Sequence, residues 1–136
     1  MNAVKSHEVQ LRWRDFDGLG HVNHPVVLTY LEEGRDAFLE SCEIGRVDYV
    51  VGRCSVTFRK EIRLESDSVT VECGVRELGN SSFTTSERII DDRGEVAVEA
   101  EFGLVMWDPA LPGSRPITRR ERSALMPAGE REVDRG

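Results

Sequence analysis

Residues 12–24, RWRDFDGLGHVNH, mark the point at which the hydrophobic period of this chain changes. Upstream, Val9, Leu11 and Trp13 alternate with polar neighbours across residues 7–16, the period-two pattern of a half-buried strand. Gly18 and Gly20 break that pattern. From Pro25 onward, Val27, Tyr30, Leu31, Gly34, Ala37, Phe38 and Cys42 recur at steps of three and four, which gives one apolar helical face. Asn23 suits the N-cap, and Pro25 suits the first turn, where its missing N–H would be unpaired anyway. The spacing predicts a helix from about residue 24 to 43, ending near Gly45 and roughly 30 Å long.

Downstream the chain reads as strand after strand. Val50, Gly52, Cys54, Val56 and Phe58 alternate with polar or small residues, as do Val69, Val71, Cys73 and Val75. The run Leu78-Gly79-Asn80-Ser81 signals a turn, after which Phe83, Thr85, Glu87 and Ile89 continue the alternation. Asp91-Asp92-Arg93-Gly94 signals another, followed by Val96, Val98, Ala100, Phe102, Leu104 and Met106 on one face. Strands joined by short turns pair antiparallel. Prolines 109, 112 and 116 make residues 108–116 a loop, and Thr118 with Glu121 forms the capping box of a short helix reaching Leu125. A polar tail, 127–136, follows a single domain spanning 1–126. A lone amphipathic helix must bury its stripe on a sheet, so the expected fold is α+β, a curled antiparallel sheet around one long helix.

The net charge of −7 argues against a nucleic-acid partner, which would need a basic face. No apolar run approaches the ~20 residues of a membrane span. The N-terminus, MNAVKSHEVQ, lacks the apolar core of a signal peptide. Cys42, Cys54 and Cys73 are odd in number and scattered, so three buried free thiols and a cytoplasmic setting are expected.

The same stretch that changes the period carries the chemistry. It sets two carboxylates, Asp15 and Asp17, beside a helix start with unpaired N–H groups and roughly +0.5 of an elementary charge. Such an end can stabilise the oxyanion of acyl transfer. Pro25 has no N–H, so the candidate donors are the amides of His24, Val26 and Val27. Either aspartate could equally be a turn residue satisfying backbone amides. His21 and His24 beside them do not make a metal site, because no third strong ligand is evident.

The string D-x-D-x-x-G-H-V-N, followed by Tyr30-Leu31-Glu32-Glu33, resembles the 4-hydroxybenzoyl-CoA thioesterase-like branch of the hotdog superfamily. Leu64 to Val75 is similar to that family's third strand, and Gly79 to Phe83 to its Gly-x-x-Ser-Phe turn, so the resemblance spans residues 8–125. It implies an acyl-CoA thioesterase without cofactor or metal. The working carboxylate is then Asp17, as nucleophile or as general base, and the backbone N–H of His24 polarises the carbonyl. The resemblance further implies substrate contacts at Gly20, His21, Asn23 and Ser82. It also implies a homodimer joined edge to edge, with the site at the interface, and often a homotetramer. Basic residues that meet coenzyme A phosphates in some members are replaced here by Leu78-Gly79-Asn80-Ser81. Arg53, Arg59, Lys60 and Arg76 are unranked substitutes, of which Arg59 and Lys60 are taken as substrate contacts, and an acyl carrier protein is the alternative carrier. A module that binds acyl ligands without turning them over is the non-enzymatic alternative. A hotdog dehydratase lacks its His-x-x-x-x-Pro pattern here.

Overall fold

The computed structural model describes residues 4–63 and 65–126 of the 136. Strand β1 covers Val4–Gln10, helix α1 His24–Ser41, and strands β2 to β5 cover Tyr49–Phe58, Ser68–Leu78, Ser82–Ile90 and Val96–Asp108. A two-residue strand β6, Gly113–Ser114, and helix α2, Arg119–Leu125, complete the chain. The strand order is β1-β3-β4-β5-β2, with β6 on β5, and every pairing is antiparallel. This is the hotdog architecture, a curled sheet around one long helix. Among the described residues, no helix is long and apolar enough to cross a membrane. The tail at 127–136 and Leu64 lie outside the described residues.

The helix begins at His24 as its pattern predicts, with Asn23 at the N-cap position, although the Asn23 side chain makes no capping bond. It ends at Ser41, two residues early, because the chain reverses at Glu43 in a left-handed conformation (φ 62°). Val27, Tyr30, Leu31, Phe38 and Leu39 are buried against the inward faces of the sheet, where Val69, Val71, Cys73 and Val75 are at most 1% exposed. Gly34 is there for close packing. A Cβ on it would lie 2.3 Å from Val71 Cγ1, so no room for an acyl chain exists beneath this turn.

Three further expectations need correction. β1 ends at Gln10, and Trp13 is not an inward strand residue but 84% exposed on the 3-10 turn Trp13–Asp15. The cause is local: the Asp15 carboxylate takes the Arg12 N–H at 3.0 Å and folds the chain into a turn before the alternation can continue. In β2 a bulge between Val51 and Arg53 inverts the alternation, so Tyr49 and Val51 face inward with Met106 and Leu104, while Val50 pairs with outward Val105. Cys54 is exposed, since β2 is a sheet edge that this chain leaves uncovered; Cys42 and Cys73 are buried thiols. β2 and β3, separated by residues 59–67, are not neighbours: β2 joins β5, and β3 joins β1 and β4.

The core also holds an ion pair. Arg35 Nε and Nη2 donate to Glu87 Oε2 and Oε1 at 2.9 and 3.2 Å, Thr85 Oγ1 donates to Oε2 at 2.6 Å, and the guanidinium lies 3.7 Å from the centroid of Phe102. Arg35 and Glu87 are 3% and 1% exposed. The bidentate geometry, with a third donor on the carboxylate, is the arrangement that makes a buried pair tolerable.

Candidate active site

Between β1 and α1 the chain doubles back as a short two-stranded ribbon. Phe16 bridges Val22, the Asp17 N–H donates to the His21 carbonyl at 2.8 Å, and the Asn23 N–H donates to the Asp15 carbonyl at 2.9 Å. Gly20, at φ 81°, supplies the left-handed residue the reversal requires and donates its N–H to the Asp17 carbonyl. A second bridge, His21 to Arg63, with the Val22 N–H on the Ile62 carbonyl, fastens the ribbon to the segment after β2.

Asp17 does the work of a turn residue and keeps an oxygen in reserve. Its Oδ1 accepts the N–H groups of Leu19 at 2.8 Å and His21 at 3.2 Å. Among the described residues no hydrogen bond reaches Oδ2. The His21 N–H first, and the Leu19 N–H second, hold the carboxyl below the ordinary aspartate range. Asp15 is different in kind: it is 4% exposed and bound to Arg12 and to the Tyr30 hydroxyl. The two aspartates that look alike in sequence are thus an anchor and a partly exposed carboxylate.

The helix end narrows the set of donors. Val26 and Val27 both donate to the Asn23 carbonyl, at 3.0 and 3.3 Å, and Pro25 has no N–H. That leaves the His24 N–H without an acceptor among the described residues. The His24 imidazole stacks on Phe58, ring centroids 4.4 Å apart.

Asp17, His21, His24, Arg59 and Lys60 line one cavity of about 650 Å³, whose apolar wall includes Phe58. The cations expected to meet phosphates are engaged elsewhere. Arg59 pairs with Glu99 at 2.7 Å, and Lys60 with Asp91 at 2.8 Å and with Glu95. Gly20 and Asn23 shape the ribbon and the cap rather than the cavity wall. Ser82 is not in this cavity. It pairs with Val105, while the site lies at Phe58 and Val98, so seven strand residues, about 24 Å, separate them.

Phe58, Glu61 and Arg63 are cavity residues that sequence reasoning did not single out. Glu61 Oε1 lies 3.1 Å from His21 Nε2, and Arg63 has only a marginal contact with Glu65 at 4.0 Å. Phe58 was legible only as a strand residue, and Glu61 and Arg63 gave a weak signal because the segment between β2 and β3 has no strong period. Among the described residues, no group of three or more His, Cys, Asp and Glu side chains is gathered so as to hold a metal ion.

The model of the thioesterase-like superfamily matches residues 11–128. The chain belongs to that superfamily. Its chemistry is thioester hydrolysis, carried out on the hotdog fold. A thioesterase from Thermus thermophilus, solved with coenzyme A and zinc, is 28% identical and superposes with a TM-score of 0.79 over 88% of this chain and 90% of that one. The PA2801 protein of Pseudomonas aeruginosa is 29% identical, with a TM-score of 0.79 over 88% and 96% of the two chains. A 1,4-dihydroxy-2-naphthoyl-CoA thioesterase from Synechocystis shares the fold at 16% identity, with a TM-score of 0.78 over 90% and 96%. No curated protein matches the chain in sequence.

Proposed function

We propose that this thioesterase hydrolyses an acyl-CoA, with the Asp17 carboxylate as nucleophile or general base and the His24 N–H polarising the thioester carbonyl. One observation carries the reading: a single unpartnered amide at the start of α1 borders the same cavity as a carboxylate with an unengaged oxygen. As general base Asp17 takes a proton from the water that attacks the carbonyl; as nucleophile it attacks the carbonyl itself, and water then hydrolyses the resulting acyl anhydride to free acid and Asp17. In either case negative charge develops on oxygen against the His24 N–H as the C–S bond breaks and the thiolate leaves. The departing thiol has a reference pKa near ~8.5 and leaves as thiolate without a strong acid. That suits a cavity with no serine–histidine pair.

The experiment separates the carboxylate from the amide. Asp17→Asn is expected to lower turnover by roughly 10²–10⁴-fold with the fold intact. His24→Ala and His24→Pro both remove the imidazole, but only proline removes the N–H, at a helix position that tolerates it. Asn23 already has the extended backbone (ψ 139°) that a residue before proline adopts. The alanine variant should stay within a few-fold of wild type, and the proline variant should lose about 10²–10³-fold more. Equal activities for the two would rule out the backbone donor.

An edge-to-edge homodimer, open to further pairing into a tetramer, is part of this reading. β2 is a ten-residue edge with Val50, Val51 and Phe58 at 38%, 48% and 44% exposure. Such an edge is a template for another strand. Antiparallel pairing of two β2 strands would bring Ser82 of the partner subunit toward the Asp17 cavity, which Ser82 of the same chain cannot reach. The ion pairs of Arg59 and Lys60 favour a second reading, an acyl carrier protein thioester, whose recognition needs fewer free cations inside the cavity. One acyl group offered on both carriers, compared by kcat/KM, distinguishes them.

A further inference from the structure

The Asp15 carboxylate is buried two residues before Asp17 and accepts two hydrogen bonds on Oδ2: the Arg12 N–H at 3.0 Å and the Tyr30 hydroxyl at 2.6 Å. The Arg12 guanidinium lies 3.4 Å from Oδ1. The Asp15 backbone carbonyl accepts the Asn23 N–H, immediately before His24. One residue therefore grips the ribbon that carries Asp17, the peptide that precedes the donor amide, and a side chain more than one turn inside α1. Tyr30 is fully buried, so its hydroxyl has no solvent to turn to.

We propose that the Asp15–Tyr30 hydrogen bond is a positioning contact for the reaction, fixing the separation between the Asp17 carboxylate and the His24 N–H. The inference rests on the roles assigned to those two groups above. The ribbon closes on itself through backbone bonds among residues 15–23 and through Asp17 Oδ1, which accepts the Leu19 and His21 N–H groups. It is also tied to the body at Ile62 and Arg63, and to the helix start by the Asn23 carbonyl, which accepts the Val26 and Val27 N–H groups. Among the described residues, the Tyr30 hydroxyl makes the one side-chain hydrogen bond from α1 to the ribbon, so without it the Asp15–Asp17 strand can pivot about Asn23 relative to the helix start. A displacement of about 1 Å between reacting groups can cost ~10²-fold in rate. Ground-state binding, spread over the rest of the cavity, would change little. The charges suit the task. Burial, then the bond to Asp15, pushes the Tyr30 phenol up, keeping it a donor. Burial opposes ionisation of Asp15, but the bonds from Tyr30 and Arg12 outweigh it and hold the carboxyl low, keeping it an acceptor.

Tyr30→Phe removes the hydroxyl and keeps the ring. Measured on folded protein with Asp17→Asn alongside, it is expected to lower kcat roughly 10- to 100-fold, with KM within about threefold of wild type. Asp15→Asn retains an acceptor for Tyr30 and should recover most of the kcat that Asp15→Ala loses, which keeps the test open should Tyr30→Phe fold poorly. Wild-type kcat in Tyr30→Phe or Asp15→Ala, with Asp17→Asn inactive, overturns the positioning role alone. So does a loss confined to KM. Full activity in Asp17→Asn instead overturns the assignment on which the role depends.

Discussion

At the scale of single residues, what matters is how differently two aspartates two positions apart are treated. Asp15 is spent on structure, and Asp17 holds its turn with one oxygen and leaves the other unengaged. Because the His21 and Leu19 N–H groups lower the Asp17 pKa, its ionised form persists as pH falls. Activity that needs the carboxylate is therefore kept down to pH values below the free aspartate value of ~3.9 and lost only beneath it. The acid limb of kcat/KM, read in short assays after a pH jump, should lie in that range; a limb centred above pH ~5 would assign the essential ionisation to another group. The distinction between the two aspartates was not legible from composition or spacing. It came from resemblance, and its physical ground is a three-dimensional contact, the Tyr30 hydroxyl fifteen residues downstream.

At the scale of elements, most of the architecture was written in the periods. The change from two to about 3.6 near Pro25 located α1, the alternations located β3, β4 and β5, and the Thr118–Glu121 box located α2, whose cap forms with Glu121 N–H on Thr118 Oγ1 at 3.1 Å. What the periods missed were local bonds that override them: the Asp15 turn that ends β1 early and the β2 bulge that reverses which valine faces inward. The Arg35–Glu87 pair was half visible. Glu87 sat on an inward alternation and Arg35 lies four residues after Leu31 and three before Phe38 on the apolar face, but nothing in one dimension joined them. This pair seals α1 to β4. Glu87→Gln should destabilise the fold by about 3–5 kcal/mol by stranding the buried guanidinium. Replacing both, as Arg35→Met with Glu87→Leu, should return most of that loss. Urea unfolding of the single and double variants checks the cycle, and equal losses for single and double changes would contradict it.

At the scale of the whole molecule, the uneven burial of the sheet is the governing fact. β3 and β5 are covered by α1 and neighbouring strands, whereas β2 exposes apolar residues on its inward face as well as an unpaired edge. Sedimentation of the wild-type protein is expected to give a dimer or a multiple of it. Val51→Glu, on the exposed inward face of β2, should shift it toward monomer with the secondary structure unchanged. If the Asp17 cavity draws on Ser82 of the partner subunit, kcat/KM falls along with the association. A wild-type chain that is monomeric and fully active at assay concentrations would show that one copy completes its own site.

Pro25 gives the helix start a further property. An ordinary N-terminus offers a cluster of amides over which an anion can wander. Here proline abstains, the Asn23 carbonyl occupies the next two, and one donor is left. The helix thus addresses a developing charge at a single point rather than across a surface. Any second donor to the same oxygen has to come from outside α1, whether from solvent, from another segment lining the cavity or from another chain.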